Sequence, residues 1–221
     1  MSRNPSPETR EQISEMTTGR LSVYLRCLTF LEQAGQQTVS SQELADRFHL
    51  NSAQIRKDLA CFGEFGTRGV GYNVSRLKEQ LVHTLGIDRK RNVLIVGAGN
   101  LGMALADYAG FNRAGFEIVA LVDVDVDKVG RASRSGIPVL PYIRLGEIVR
   151  ENAVEIGVIA VTPESAQEVH DALVNAGVVA VLNFAPVQIR TQERVKVKTV
   201  DLRINLESLS FFLKNIEDGT I

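Results

Sequence analysis

The sequence predicts an α/β protein with two domains: a small helical head, followed by a parallel β-sheet that helices cover on both faces. Three features of the 221-residue chain indicate this. Two short helical segments lie close together before residue 62, and a glycine-rich stretch follows them. A strand-like run then leads into a second glycine motif, GAGNLG. From there, apolar strands alternate with amphipathic helical segments, a pattern typical of a doubly wound sheet.

The composition is that of a globular protein. Hydrophobic residues make up 44% of the chain, charged residues 23%, and the formal net charge is −1. Cys27 and Cys61 are too few for a disulfide framework, and no apolar run reaches the length of a membrane span. Residues 1–16 are polar, lack the apolar centre of a secretory signal and are expected to be flexible. We therefore expect a cytoplasmic protein with no membrane partner.

The segment RLSVYLRCLTFLEQAG predicts the first helix, which ends at Gly35. Its apolar residues form two stripes on roughly opposite sides, Leu21, Leu25 and Leu28 against Val23, Cys27 and Phe30. A helix with two apolar sides is covered on both. We expect one cover from its own domain and the other from elsewhere, with Arg26 near that second contact.

Two short helices follow with the spacing of a helix-turn-helix. Ser40 and Glu43 form a capping-box pattern, and Asn51 precedes a second helix at about residues 52–62. Ile55 and Leu59 face inward on that helix, whereas Lys57 lies almost opposite. The small residues on its outer side let the helix enter a DNA major groove, and the long polar side chains there can reach phosphates and base edges. Both features suit a recognition helix.

The glycine-rich stretch after this helix predicts the wing of a winged helix. Gly63, Gly66, Gly69 and Gly71 supply turns, and Arg68 lies near the tip, where it can enter a narrow minor groove. A connecting helix capped by Ser75 follows, which completes a domain over residues 17–86. The predicted DNA-contacting residues are Ser52, Ala53, Gln54, Arg56, Lys57, Arg68, Gly69 and Tyr72.

After a linker at residues 87–91, a Rossmann-type domain is predicted over residues 92–203. The apolar strand NVLIV leads into glycines with G-x-G-x-x-G spacing, and a helix follows. This order is typical of a dinucleotide site, where the helix N-terminus binds the pyrophosphate. The residues predicted to contact the cofactor here are Gly97, Ala98, Gly99, Asn100, Leu101 and Gly102.

Asp123 ends the next strand, where a carboxylate meets the adenosine ribose hydroxyls. A carboxylate there favours NAD over NADP, because it repels a 2′-phosphate. Asp125 is an alternative ribose ligand, and Lys128 and Arg131 leave NADP open. Two later strand ends are predicted to flank the nicotinamide, and they contribute Thr162, Pro163, Asn183, Phe184, Ala185 and Pro186.

The sequence shows no recognisable substrate domain and no proton-transfer group beside this cofactor site. His49, His83 and His170 lie in the turn and in two helices, where structural roles are expected. A final helix at residues 204–221 carries an apolar stripe although the sheet is already complete. We therefore expect a sensor rather than an enzyme. The candidate cover for this stripe is the uncovered face of the first helix, either in the same chain or in a second one. A symmetric dimer matches palindromic DNA.

Over residues 17–216 the sequence resembles the Rex family of redox-sensing transcriptional repressors. IRKDLACFGEFGTRGVGY, VGAGNLGMALADY and NFAP together carry the resemblance. It implies a homodimer with a swapped C-terminal helix, which binds operator DNA when free or with NAD⁺ and leaves it with NADH. It also implies that Arg26, Tyr108 and Asp201 link the DNA-binding domain to the nicotinamide pocket. The operator is expected to be double-stranded, palindromic and AT-rich.

Three alternatives stay open on the sequence alone. The protein is a small NAD-dependent oxidoreductase with a regulatory DNA-binding head, a sensor of another nucleotide-like ligand such as a coenzyme A derivative, or a thiol switch that uses Cys27 and Cys61. Turnover assays, calorimetry with several ligands and serine substitution at both cysteines separate these readings.

Overall fold

The computed structural model describes residues 15–63, 65–67 and 70–219 of the chain. Contacts between Cα atoms divide the chain into two compact units, residues 1–89 and 90–221. The division falls within the predicted linker, and the domain limits themselves stay predictions. Arg68 and Gly69 of the predicted wing lie outside the described residues.

The first unit contains helices and a small antiparallel sheet. Its elements are α1 (Glu15–Gln33), β1 (Thr38–Val39), α2 (Ser41–Phe48), α3 (Ser52–Ala60), β2 (Gly66–Thr67), β3 (Gly71–Asn73) and α4 (Val74–Thr84). The sheet has the order β1-β3-β2, so β2 and β3 form the predicted hairpin after α3. This is a winged helix-turn-helix with α3 in the position of the recognition helix.

Local hydrogen bonds explain where α2 and α3 begin. The Ser40 hydroxyl accepts from the backbone N–H of Glu43, whose carboxylate accepts from the backbone N–H of Ser40. The Asn51 side chain accepts from the backbone N–H of Gln54 at 2.9 Å. His49 ends α2 with φ of 54°, a left-handed conformation that turns the chain sharply into α3. The predicted capping box and turn are therefore present.

Several predictions for this unit are wrong in detail. Helix α1 begins at Glu15, inside the segment predicted to be flexible, and the Thr17 hydroxyl of its first turn accepts from Arg20. Helix α4 begins at Val74, because Asn73 rather than Ser75 accepts from the N–H of Arg76. Cys27 is buried in the core of its own domain, so it does not belong to an outward stripe.

The second unit is built on six parallel strands. Its elements are β4 (Arg91–Val96), α5 (Asn100–Ala106), α6 (Ala109–Arg113), β5 (Phe116–Asp123), β6 (Val139–Pro141), a 3₁₀ turn (Tyr142–Arg144), α7 (Leu145–Glu151), β7 (Ile156–Ile159), α8 (Pro163–Asn175), β8 (Ala180–Asn183), β9 (Lys196–Thr199) and α9 (Leu202–Glu217). The strand order is β6-β5-β4-β7-β8-β9. The chain reverses direction across the sheet between β4 and β7, which is where ligands bind in such folds.

The central strands of the sheet are buried on both faces, and their side chains alternate between the two. Leu94 and Val96 of β4 pack with residues of α7 and α8 in one core cluster. Val93 and Ile95 of the same strand pack with residues of α5 and α6 in another. The predicted doubly wound sheet is thus confirmed, and it holds the carboxyl ends of β4, β5 and β7 at one edge.

The ends of this unit differ slightly from the predicted limits. Arg91 already belongs to β4, since its register partner is Phe116 and its N–H donates to the carbonyl of Gly115. Helix α9 begins at Leu202, because the Asp201 side chain accepts from the N–H of Arg203 at 2.9 Å. Helix α9 ends at Glu217.

Candidate dinucleotide cleft and nucleic-acid interface

The glycine motif forms the turn from β4 into α5, and two of its glycines are required there by close packing. Gly97 has φ of 103°, and a Cβ atom on it would collide with the carbonyl oxygen of Ala160. A Cβ atom on Gly102 would collide with the carbonyl oxygen of Gly97. These contacts bring the start of α5 against the strand, so that its first N–H groups face the edge of the sheet.

Gly99 differs from its neighbours because it faces open space. A Cβ atom on it would have no protein atom within 4 Å. Gly99 lines a cleft of about 520 Å³ at the carboxyl edge of the sheet, together with Gly97, Asn100, Leu101, Asp123 and Thr162. The residues therefore fit a dinucleotide, whose phosphates approach the backbone where a side chain is missing.

Asp123 lines the cleft, but its carboxylate is largely engaged by the protein. It is 8% exposed, and its two oxygens accept from the N–H groups of Ala98 at 2.7 Å and Asp125 at 2.9 Å. Lys128 Nζ lies 3.2 Å from Oδ2. Burial alone would raise the pKa of Asp123, but these hydrogen bonds outweigh it and lower the pKa. The carboxylate is thus an ionised group that fixes the glycine loop as well as a candidate ribose ligand.

Some lining residues were not predicted from the sequence. Val124, Tyr142, Ser165 and Glu168 lie along the same cleft. The pKa of Tyr142 is raised, first by burial and then by the negative charge of Glu168. Tyr142 follows the edge strand β6, and nothing in the local sequence pattern marks it as a site residue.

The NFAP segment shapes the other end of the cleft. Asn183 is fully buried, and its Nδ2 atom donates to the carbonyl oxygens of Ala185 and Val187 at 2.9 and 3.0 Å. This holds a turn from which Phe184 lines the first cleft and also a neighbouring one of about 490 Å³. Pro186, Asp201 and Leu101 line that second cleft.

The predicted cofactor residues therefore divide into two groups. Those that line one of the two clefts are Gly97, Gly99, Asn100, Leu101, Asp123, Thr162, Phe184 and Pro186. Those that support the cleft without lining it are Ala98, Gly102, Pro163, Asn183 and Ala185. In the second group, Ala98 and Asn183 act through hydrogen bonds and Gly102 through close packing.

Helix α3 presents a polar outer surface, as predicted. Ala53, Arg56 and Lys57 are exposed, whereas Ile55 and Leu59 are buried. Arg56 donates to the Ser41 hydroxyl at the start of α2 at 2.9 Å. The pKa of Tyr72 is raised by burial, and the nearby positive charge of Arg56 opposes this. Arg56 and Ser41 thus link α3 to the start of α2 by a polar contact.

Helix α3 also carries a buried charge that the sequence pattern did not reveal. Asp58 is 2% exposed and accepts a two-pronged ion pair from Arg20, from Nε at 2.6 Å and Nη2 at 2.8 Å. The Tyr24 hydroxyl donates to it at 2.9 Å, and Gln54 Nε2 donates at 2.7 Å. Burial alone would raise the pKa of Asp58, but the hydrogen bonds from Arg20, Gln54 and Tyr24 lower it.

The three residues expected to couple the domains are all accessible within their own units. Arg26 is exposed on α1. Tyr108 is 59% exposed and stacks edge-on against Phe111, with ring centroids 5.1 Å apart. Asp201 lines the second cleft and caps α9.

The part of the chain that the structure describes contains neither a candidate metal site nor a candidate membrane span. No group of three or more histidine, cysteine or acidic side chains there can hold a metal ion. None of the helices described is long and apolar enough to cross a membrane.

Comparisons with known proteins identify matches for both units of the chain. The family model "Putative DNA-binding protein N-terminus" matches residues 12–60, and the model "CoA binding domain" matches residues 88–187. A redox-sensing transcriptional repressor Rex from Carboxydothermus hydrogenoformans is 50% identical over 203 residues, which cover 92% of this chain and 97% of the relative. One from Streptomyces coelicolor is 47% identical, with 93% and 80% covered.

Solved structures give the same picture for the fold. RSP in complex with β-NAD⁺ and operator DNA superimposes with a TM-score of 0.88 at 34% identity, covering 94% of this chain and 95% of RSP. RSP in complex with β-NADH gives a TM-score of 0.83 at 32% identity, with 95% and 97% covered. A further structure describes RSP as a Rex-family repressor.

Proposed function

This chain belongs to the Rex family of redox-sensing transcriptional repressors, and we propose that it is a DNA-binding repressor that senses the balance between NADH and NAD⁺. It binds operator DNA when free or with NAD⁺ and leaves the DNA when NADH binds. One observation carries this proposal: the similarity to RSP, which was solved with NAD⁺ and operator DNA together, extends over both units. The cofactor is a signal here, and the protein is not an enzyme.

The cleft at the sheet edge holds the dinucleotide. Gly99 leaves room for the pyrophosphate against the start of α5, and Asp123 lies at the end of β5, where the adenosine ribose binds in this fold. The cleft around Phe184, Pro186 and Asp201 receives the nicotinamide. When bound, the cofactor supplies only a difference of charge and ring shape between its oxidised and reduced forms.

The DNA is read by α3 and the hairpin that follows it. The interface comprises Ser52, Ala53, Gln54, Arg56, Lys57, Arg68, Gly69 and Tyr72. Arg56 is exposed on α3 and Tyr72 lies on β3 of the hairpin, where both suit contacts with the phosphate backbone. Lys57 faces directly outward, where it suits a base edge in the major groove. The operator is a palindromic, AT-rich duplex.

A homodimer places two such heads on the two half-sites. Helix α9 supports this, because its large apolar residues are 48 to 67% exposed in a single chain. They are Leu202, Ile204, Leu206, Leu209, Phe211, Phe212, Leu213 and Ile216. On α1, Val23 and Phe30 are also exposed, at 40% and 52%. We assign α9 to a swapped contact with a second copy of the chain, since apolar surface of this extent is normally covered.

Arg26, Tyr108 and Asp201 transmit the cofactor state. A carboxylate beside the nicotinamide favours the cationic NAD⁺ ring, and reduction removes that charge. Asp201 is then available to a different cation. We assign this role to the guanidinium of Arg26. We place the protein in the cytoplasm, where both cofactor forms and DNA occur together.

The match to a CoA-binding family model favours one second candidate, a sensor of a coenzyme A derivative on the same fold. That match covers residues 88–187 and extends to neither α3 nor α9. Calorimetry with NADH, NAD⁺ and a CoA thioester separates the two, since the proposed function requires NADH to bind more tightly than the thioester.

A mobility-shift titration tests the proposed function directly. The probe is an AT-rich palindromic duplex, titrated with protein in the absence of cofactor, with NAD⁺ and with NADH. We expect retarded complexes in the first two and release in the third. Retention of the complex at saturating NADH would contradict the proposal.

A further inference from the structure

The buried carboxylate of Asp58 has no assigned function, although it lies on the recognition helix. Its Oδ1 atom accepts from Arg20 and Gln54, and its Oδ2 atom accepts from Arg20 and Tyr24. An ionised carboxylate only accepts hydrogen bonds. Four N–H or O–H donors therefore surround two carboxylate oxygens that can act only as acceptors.

This arrangement fixes the amide of Gln54. An amide side chain can present either its oxygen or its NH₂ group to a neighbour, but only the NH₂ group can bond to Asp58. With Nε2 held 2.7 Å from Asp58 Oδ1, the oxygen and the second N–H of the same amide are not used by this bond and remain for another partner. Gln54 lies on the shoulder of α3, beside the exposed Ala53 and Lys57.

We infer that Asp58 is a positioning residue that holds the Gln54 amide ready to read an adenine in the major groove. Adenine offers an acceptor, N7, beside a donor, the N6 amino group, which together match the donor and acceptor on one edge of an amide. Guanine offers two acceptors there and leaves the amide oxygen without a partner. The inference rests on the proposed function, since it presupposes that α3 enters the groove.

Burial of Asp58 distinguishes the Gln54–Asp58 pair from similar Gln–Asp pairs on the surface. Gln42 donates to Asp46 on α2 with the same four-residue spacing and a 2.8 Å distance, but both residues are exposed. Exposed side-chain pairs of this kind exchange freely with water. Gln42 therefore provides a matched control for Gln54.

The first test is selection from a randomised duplex library, followed by binding to single-base variants of the selected site. We expect wild-type protein to prefer adenine by about tenfold or more at one position of each half-site. Q54A and D58N should lose this preference while they keep the dependence on salt that phosphate contacts give. Q42A should keep the preference.

The outcomes separate the inference from the proposed function. If wild-type protein selects no sequence at all, the proposed function fails and the inference with it. If it selects a site and D58N, folded by circular dichroism, keeps the preference that Q54A loses, only the inference is overturned. Should D58N not fold, nitrogen-15 relaxation of the side-chain amides in the free wild-type protein decides: Gln54 must be more ordered than Gln42, and equal mobility would overturn the inference.

Discussion

At Gly99 and Gly102 the addition of one side chain has opposite structural consequences. Gly99 faces the cleft and has room, whereas Gly102 is packed against the carbonyl of Gly97. We expect G99V to fold normally and to lose about tenfold or more in NADH affinity, equivalent to 1.4 kcal/mol, because the new side chain occupies the place of the pyrophosphate.

Calorimetry with NADH and a thermal melt check this pair of variants. G102A is the matched control, and its melting temperature should fall because the new methyl group pushes α5 away from β4. Unchanged NADH affinity in G99V would mean that the dinucleotide does not cross the glycine loop.

Gly110 controls the position of the Tyr108 ring. A Cβ atom on Gly110 would lie 2.6 Å from the Tyr108 hydroxyl oxygen and even closer to the ring. The ring is exposed and free to turn away, so G110A should displace it at little cost in stability. We expect G110A to bind DNA like wild type without cofactor and to need more NADH for release, as measured by mobility shift.

Y108F serves as the comparison, since it keeps the ring in place and removes only the hydroxyl group. If G110A and wild type are released at the same NADH concentration, the position of Tyr108 has no part in the coupling.

Asp58 makes the stability of the DNA-binding unit sensitive to acid. Its pKa is lowered in the folded state, so its contribution is present above the unfolded value of about 3.9 and is lost as the pH falls through the folded value. We expect the free energy of unfolding of wild type to exceed that of D58N at pH 7, and the difference to shrink below about pH 4. Denaturant titrations at several pH values measure it, and a constant difference would contradict the ion-pair account.

At the scale of single elements, α9 carries exposed apolar side chains that need a partner. Leu206, Leu209, Leu213 and Ile216 form the stripe that the sequence predicted, and the structure leaves all four exposed in one chain. L209D should therefore convert the dimer to a monomer at micromolar concentration, which sedimentation equilibrium can measure. DNA affinity should fall with it, because one head contacts only one half-site.

K214D is the control for this helix, since Lys214 lies away from the apolar stripe and its substitution should leave the dimer intact. A dimer that persists in L209D would place the subunit contact elsewhere.

The helices and strands were largely predictable because local chemistry specifies them. The Ser40–Glu43 capping box, the tight turn that contains His49 and the close packing of Gly102 follow from residue types at fixed spacings. The start of α4 was missed because Asn73 and Ser75 are both good capping residues, and only the pairing of β3 with β1 decides between them.

Residues of the cleft were predictable where they belong to the glycine motif or follow the end of a predicted strand, as Gly99, Asp123 and Thr162 do. Asp58 escaped notice because its partners on α1 lie 34 and 38 positions away. Tyr142 reaches the cleft only through the order of strands in the sheet. Tyr108 was identified as a coupling residue only through the resemblance to the Rex family.

At the scale of the whole molecule, helix α1 takes part in both proposed activities, cofactor sensing and DNA binding. Helix α1 carries Arg26, to which we assign the response to the cofactor, and also Arg20 and Tyr24, which bond to Asp58 of the recognition helix. A displacement of α1 therefore carries α3 with it. To move the dimer from 1:99 to 99:1 between DNA-binding and DNA-free forms, NADH must bind the second form about 5.5 kcal/mol more tightly.

The most direct test of this linkage is the NADH affinity of the protein with and without saturating operator, measured by fluorescence titration. Linkage requires that DNA weaken NADH binding by the same factor by which NADH weakens DNA binding. We predict a large loss of NADH affinity on DNA and little change for NAD⁺. Equal NADH affinity in the two conditions would contradict the account, because the cofactor cleft and the DNA-binding heads would then act independently.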